Sequence, residues 1–184
     1  MNRSDAGRFV LSGVAALTAA GGWLADVNRT HLFNPRWLPH AKFHDAWTVL
    51  LGTGLGSLGL YLLRRRGTDP ELDLALGAGL PALFWTAQAG SYLFPGTKGM
   101  ESEFPDRLPE VAGVRVNEAV GSALMLTLTA AGYLLARRGA EDPESGDRGP
   151  RRILLEDSKR KTVGEGTPRR PSLRSLPERS FSRR

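Results

Sequence analysis

Four stretches without a charged or histidine side chain constrain this chain more than any other feature. They are Phe9–Ala25 (17 residues), Ala46–Leu63 (18), Leu74–Thr97 (24) and Ala119–Ala136 (18). A helix of about 18 residues rises about 27 Å, close to the hydrocarbon thickness of a bilayer. A soluble amphipathic helix shows charge on one face at every turn. These runs carry charge only at their edges, at Arg8 and Asp26, Asp45 and Arg64, Asp73 and Lys98, and Glu118 and Arg137. The pattern predicts an all-α fold, a four-helix transmembrane bundle with helices at about 8–26, 43–64, 72–94 and 117–137. Arg3 and Arg8 ahead of Thr18-Ala19-Ala20 also fit a signal peptide. The segment is read as a helix because its small residues supply a packing surface.

Whole-chain averages conceal this organisation. The 25 Lys and Arg against 19 Asp and Glu, and a mean hydropathy of -0.25, describe a basic hydrophilic protein. Residues 137–184 hold 14 of the basic and 8 of the acidic residues, so the net charge of +6 belongs to the tail and residues 1–136 are neutral. The expected organisation is a membrane domain at 1–138 and a disordered, basic cytoplasmic tail at 139–184, too poor in apolar residues to fold. Its clusters Lys159-Arg160-Lys161, Arg169-Arg170 and Arg183-Arg184 suit an anionic leaflet. They lack the interleaved aromatic residues of a specific nucleic-acid binder. Arg64-Arg65-Arg66 and the other basic residues near helix ends predict a multi-pass plasma-membrane protein with both termini cytoplasmic. The absence of cysteine excludes disulfides, thiolate metal sites and cysteine nucleophiles.

Each run carries small residues at four-residue spacing, which permit close helix approach in lipid. These are Ser12, Ala16 and Ala20; Gly52 and Gly56; Ala78, Ala82, Thr86 and Gly90; and Ala119, Ala123, Thr127 and Ala131. Pro81 is expected to kink the third helix. Gln88 is the one amide within a run, and no ionisable group lies at depth, which argues against an ion-coupled transporter.

All three histidines fall in the segment joining the first two helices. Pro39 suits a first helical turn, which places His40 and His44 on one face with Trp47 a turn deeper. That spacing fits a divalent metal, with His31, Asp45 or Glu118 as third ligand. It fits equally acid–base groups working near neutral pH, or polar groups at home at a membrane interface. On the fourth helix Glu118, Ser122, Met125 and Thr129 share a face that starts at the same end of the bundle. Residues 96–115 are long enough to cover the first loop, although a plain surface loop is the default expectation.

The string Asp26-x-Asn28-x-Thr30-His31-x-x-Asn34-Pro35-x-Trp37-x-Pro39-His40-Ala41-Lys42-Phe43-His44 resembles the signature of an uncharacterised family, a domain of unknown function. Its members are small four-helix integral membrane proteins of fungi and bacteria, some of them labelled acetyltransferase. The segment from Leu83-Phe84-Trp85 to Tyr92-Leu93-Phe94-Pro95-Gly96-Thr97 is similar to it as well. The resemblance covers about residues 7–136. This chain departs from it at Val27, where Trp is usual, and at Asp45-Ala46, where Asn-Gly is common. It implies the four-helix fold and a role for the loop. It implies no reaction, and no coenzyme-A or acyl-transfer motif accompanies it here.

Two functions are consistent with these residues. In the first, an outer-face cavity binds or transforms a lipid or isoprenoid-like amphiphile. His31, His40, His44 and Glu118 are its working groups, with Asn28, Asn34, Trp37, Lys42, Trp47, Trp85 and Gln88 around the substrate. In the second, the protein is a non-catalytic membrane partner or assembly protein with a structural His-rich loop.

Overall fold

The computed structural model describes residues 2–141. Four helices run α1 Arg3–Ala25, α2 Pro39–Arg64, α3 Pro70–Gly90 and α4 Glu118–Glu141. Short 3₁₀ turns and a two-residue hairpin, β1 Glu110–Val111 with β2 Val114–Arg115, fill the long connection between α3 and α4. The expected tail lies outside the described residues, apart from its first residues, which continue α4.

Local chemistry sets the helix ends. The Asn2 side chain accepts the Asp5 N–H at 2.7 Å, so α1 begins at Arg3, ahead of the expected residue 8. Pro39 takes the first position of α2, which therefore starts before the expected residue 43. Asp69 caps α3 through the Leu72 N–H at 2.9 Å, and Asn117 caps α4 through Val120 at 3.1 Å. The third helix stops at Gly90, short of the expected 94, and tightens into a 3₁₀ turn at Ser91–Leu93.

The helices form a square. α1 packs on α2 and α4, α3 packs on α2 and α4, and α1 touches α3 lightly across the diagonal. The core is Leu11, Ala15, Leu63, Leu74, Ala78 and Ala136. Backbones approach closely at two seams. A Cβ on Gly56 would stand 2.4 Å from the Ala19 backbone nitrogen, and one on Gly7 would stand 2.3 Å from that of Ala136. Gly52 faces Phe84 and the Thr18 carbonyl, so the Gly52/Gly56 pair is used inside the bundle. The expected stripes on α1 and α4 are out of phase with this packing. Ala16 and Ala20, and all of Ala119, Ala123, Thr127 and Ala131, are exposed. The faces that pack are Leu11, Ala15 and Thr18 on α1, and Ser122, Thr129, Gly132 and Ala136 on α4.

Three helices, α1, α2 and α4, are long and apolar enough to cross a membrane, with mean hydropathies of 1.3, 1.5 and 1.7. α3 falls outside this set: it carries Asp73, Pro81 and Gln88 along its length. Asp73 is buried, with Arg65 donating to it through Nε at 2.9 Å. The outward faces are apolar in turn, with Leu50, Leu58, Leu83, Leu124 and Leu134 exposed. That is the reverse of a water-soluble bundle.

The α1–α2 and α3–α4 connections lie at one end of the square. Arg3, Arg8, Arg64, Arg65, Arg66, Arg137 and Arg138 gather at the other.

Candidate functional site

The α1–α2 loop folds upon itself. The Asp26 carbonyl accepts the N–H groups of Asn28 at 2.8 Å and Leu32 at 3.0 Å. Asn28 Nδ2 donates back to the Ala25 carbonyl, while its Oδ1 accepts the Thr30 N–H at 2.7 Å and the Thr30 hydroxyl at 2.6 Å. Asn34 is buried; its Nδ2 donates to the Thr30 carbonyl at 3.0 Å and its Oδ1 accepts the Arg36 N–H at 2.9 Å. Both amides that the sequence suggested for substrate are thus engaged in shaping the loop.

This scaffold fixes His31. The Thr30 hydroxyl has one proton and donates it to Asn28, so at 2.9 Å from His31 Nδ1 it acts as acceptor. Nδ1 therefore carries the ring proton, and Nε2 is the nitrogen left for chemistry. Nε2 lies 3.8 Å from Asp26 Oδ1. Trp37 meets the ring edge-on, with centroids 5.4 Å apart, and so holds His31 from the side.

Asp26 and His31 open onto a half-enclosed cavity of about 290 Å³ between the helices. Leu17, Phe84, Trp85, Met100, Leu108 and Val116 give it apolar walls, and Gln88, Asn117 and Glu118 add polar groups. Trp85 is anchored by its indole N–H donating to Thr18 Oγ1 at 2.8 Å, and Thr18 in turn donates to the Val14 carbonyl at 2.8 Å. The indole is thereby tied to α1. Burial pushes the Asp26 carboxyl up from its ordinary 3.8 to about 6. His31 pulls it back, and Asp45 and Glu118 push it further up.

Glu118 is held from the far side. Its carboxylate accepts the Met100 N–H at 3.1 and 3.2 Å and the Tyr92 hydroxyl at 3.4 Å. The α3–α4 connection is thereby pulled across the bundle end, and the Arg36 guanidinium sits 5.5 Å over the Phe104 ring to tie the two loops together. Met100, Leu108 and Val116 of this segment line the cavity, so it is a cover rather than the plain surface loop expected from sequence.

Four of the expected site residues thus meet in one place: His31, Trp85, Gln88 and Glu118. The others do not. His40 and His44 stand exposed on the first turns of α2, their Nε2 atoms 3.2 Å apart, and neither lines the cavity. Phe43 and Trp47 flank them, both exposed, in an aromatic cluster that faces outward. Lys42 lies half-buried outside the cavity. His40 and His44, for which a divalent metal was one of three readings, have no third ligand beside them among the described residues. Among the described residues, no three His, Asp or Glu side chains form a group that could hold a metal ion. Helical spacing pairs the two histidines, but the self-contained loop holds His31 elsewhere, and Glu118 is engaged by Met100 and Tyr92.

Asp26 and Asn117 complete the site and were not singled out from sequence. The available signals for Asp26 were its place as the first residue of the loop signature and as the charge that ends the first apolar run, five residues before His31.

The family of unknown function DUF6640 matches residues 10–144. No curated protein and no solved structure matches the chain.

Proposed function

We propose, for a chain that belongs to the DUF6640 family of unknown function, a multi-pass membrane protein that binds or transforms an amphipathic lipid or isoprenoid-like molecule. One observation carries this reading: Asp26, His31, Gln88 and Glu118 edge a cavity whose walls are Leu17, Phe84 and Trp85. Polar groups at one rim and apolar walls toward the helices suit a molecule with a head group and a hydrocarbon tail.

The outward leucines and the three span-length helices support residence in a bilayer, with α3 as a fourth, partly shielded span. The arginine-rich end is then cytoplasmic and the cavity lies at the outer face of the plasma membrane. If the bound molecule is transformed, His31 Nε2 is the acid–base group, because its tautomer and direction are set by Asn28 and Thr30.

A non-catalytic partner is favoured by one contrary observation, the inward engagement of Asn28 and Asn34 in a purely structural loop. Lipidomic comparison separates the two readings. Cells lacking the gene should change the level of one amphiphile class; wild-type protein should restore it and His31→Gln should not. Restoration by His31→Gln at normal expression would remove the enzymatic reading.

A further inference from the structure

The carboxylates outnumber the basic groups around the cavity. Asp26 and Glu118 both line it, Asp45 acts on Asp26 from nearby, and His31 is the one basic group among them. No Lys or Arg is found among the described residues lining it. Lys98 lines a neighbouring pocket that shares Gln88 and Glu118 with this one. The two lining carboxylates are not equivalent. Glu118 is satisfied by Met100 and Tyr92, whereas the Asp26 carboxylate is met, among the described residues, only by His31 Nε2 at 3.8 Å. About 26% of the Asp26 side chain is exposed, so this carboxylate is open to a donor or a cation entering the cavity. The Trp85 and Phe84 rings, whose faces attract cations, line the same cavity.

Resting on the reading of this cavity as an amphiphile site, we infer that its ligand carries a protonated amine head group, bound by Asp26 beside Trp85, with its tail between the helices. A phosphate or carboxylate head group would enter a site of its own sign with no Lys or Arg to receive it. A neutral alcohol would supply a donor but leave the negative charge uncompensated.

The test uses the protein in lipid nanodiscs and three photoreactive dodecyl probes that differ only in head group: amine, alcohol and phosphate. Each is crosslinked over a concentration series, and the modified residue is mapped by mass spectrometry. Expected is cavity labelling by the amine at about tenfold lower concentration than by the alcohol, with none by the phosphate. Asp26→Asn should abolish the amine's advantage and Asp26→Glu should keep it, with melting temperatures confirming that both variants fold. Phosphate labelling equal to or stronger than amine labelling would overturn the inference and leave the amphiphile cavity standing. Labelling of the cavity by no probe would overturn both.

Discussion

His31 Nε2 faces the Asp26 carboxylate at 3.8 Å across the mouth of one cavity. Asp26 is the C-cap of α1 and His31 sits in the loop beyond it, so the pair joins the end of a span-length helix to the loop. The Asn28–Thr30 bonds orient the pair, and both side chains line the cavity.

Thr30→Val should release His31. Without the hydroxyl, Nδ1 loses its acceptor and the ring samples both tautomers, whereas Thr30→Ser keeps the bond. A neutral hydrogen bond contributes about 1 kcal/mol, so the ratio of the Nδ1–H to the Nε2–H tautomer should fall about fivefold in Thr30→Val. Nitrogen NMR of the labelled imidazole reads the tautomer directly. An unchanged Nδ1–H signal in Thr30→Val would contradict the assignment.

Asp26 should titrate near pH 6. A carboxyl raised from 3.8 to about 6 keeps its proton in the folded protein where the unfolded chain has already lost it. Stability contributed by this group is therefore complete at low pH, falls as pH rises from 3.8 to about 6, and stays level above. His31, Asp45 and Glu118 are the titratable groups that act on it. The infrared band of the protonated carboxyl should disappear with a midpoint near pH 6 and be missing from Asp26→Asn. A midpoint near 4 would mean that the group is well hydrated.

Gly56→Leu should separate α1 from α2, because a Cβ at Gly56 already meets the Ala19 backbone at 2.4 Å. Overpacking of this kind costs about 1–3 kcal/mol. Gly13→Leu on the exposed face of α1, where a Cβ meets nothing within 4 Å, should be neutral. Thermal denaturation in detergent distinguishes them, and equal melting temperatures would count against this seam.

The helices were legible in the sequence because an unbroken apolar run has one economical reading. Their phases were not. Four-residue spacing occurs on every face of an Ala-rich helix, and only the neighbours decide that Ser122 and Ala136 pack while Ala119 and Ala123 face out. The histidines show the same limit. Sequence proximity grouped His31 with His40 and His44, yet the Asn28 and Asn34 bonds turn the loop so that His31 alone enters the cavity. Glu118 lines the same cavity as His31 because an antiparallel bundle brings the start of α4 level with the end of α1. Asp26, although the first residue of the loop signature, was not named as a site residue because a charge at a helix end already has an interfacial explanation.

His40→Gln combined with His44→Gln should leave cavity labelling within about twofold of wild type, since neither side chain lines it. Elemental analysis of the wild-type protein should find no stoichiometric zinc, iron or manganese. One equivalent of metal, lost in the double variant, would restore the metal reading.

The most direct measurement fills the cavity. Gly121 lines it, and a Cβ there meets nothing within 4 Å, so Gly121→Leu adds bulk to the cavity without touching the backbone of a neighbour. Native mass spectrometry of protein extracted in mild detergent should show a bound amphiphile on the wild type and none on Gly121→Leu, with both forms melting alike. An amphiphile retained at full occupancy by the folded variant would place the ligand elsewhere and contradict the account.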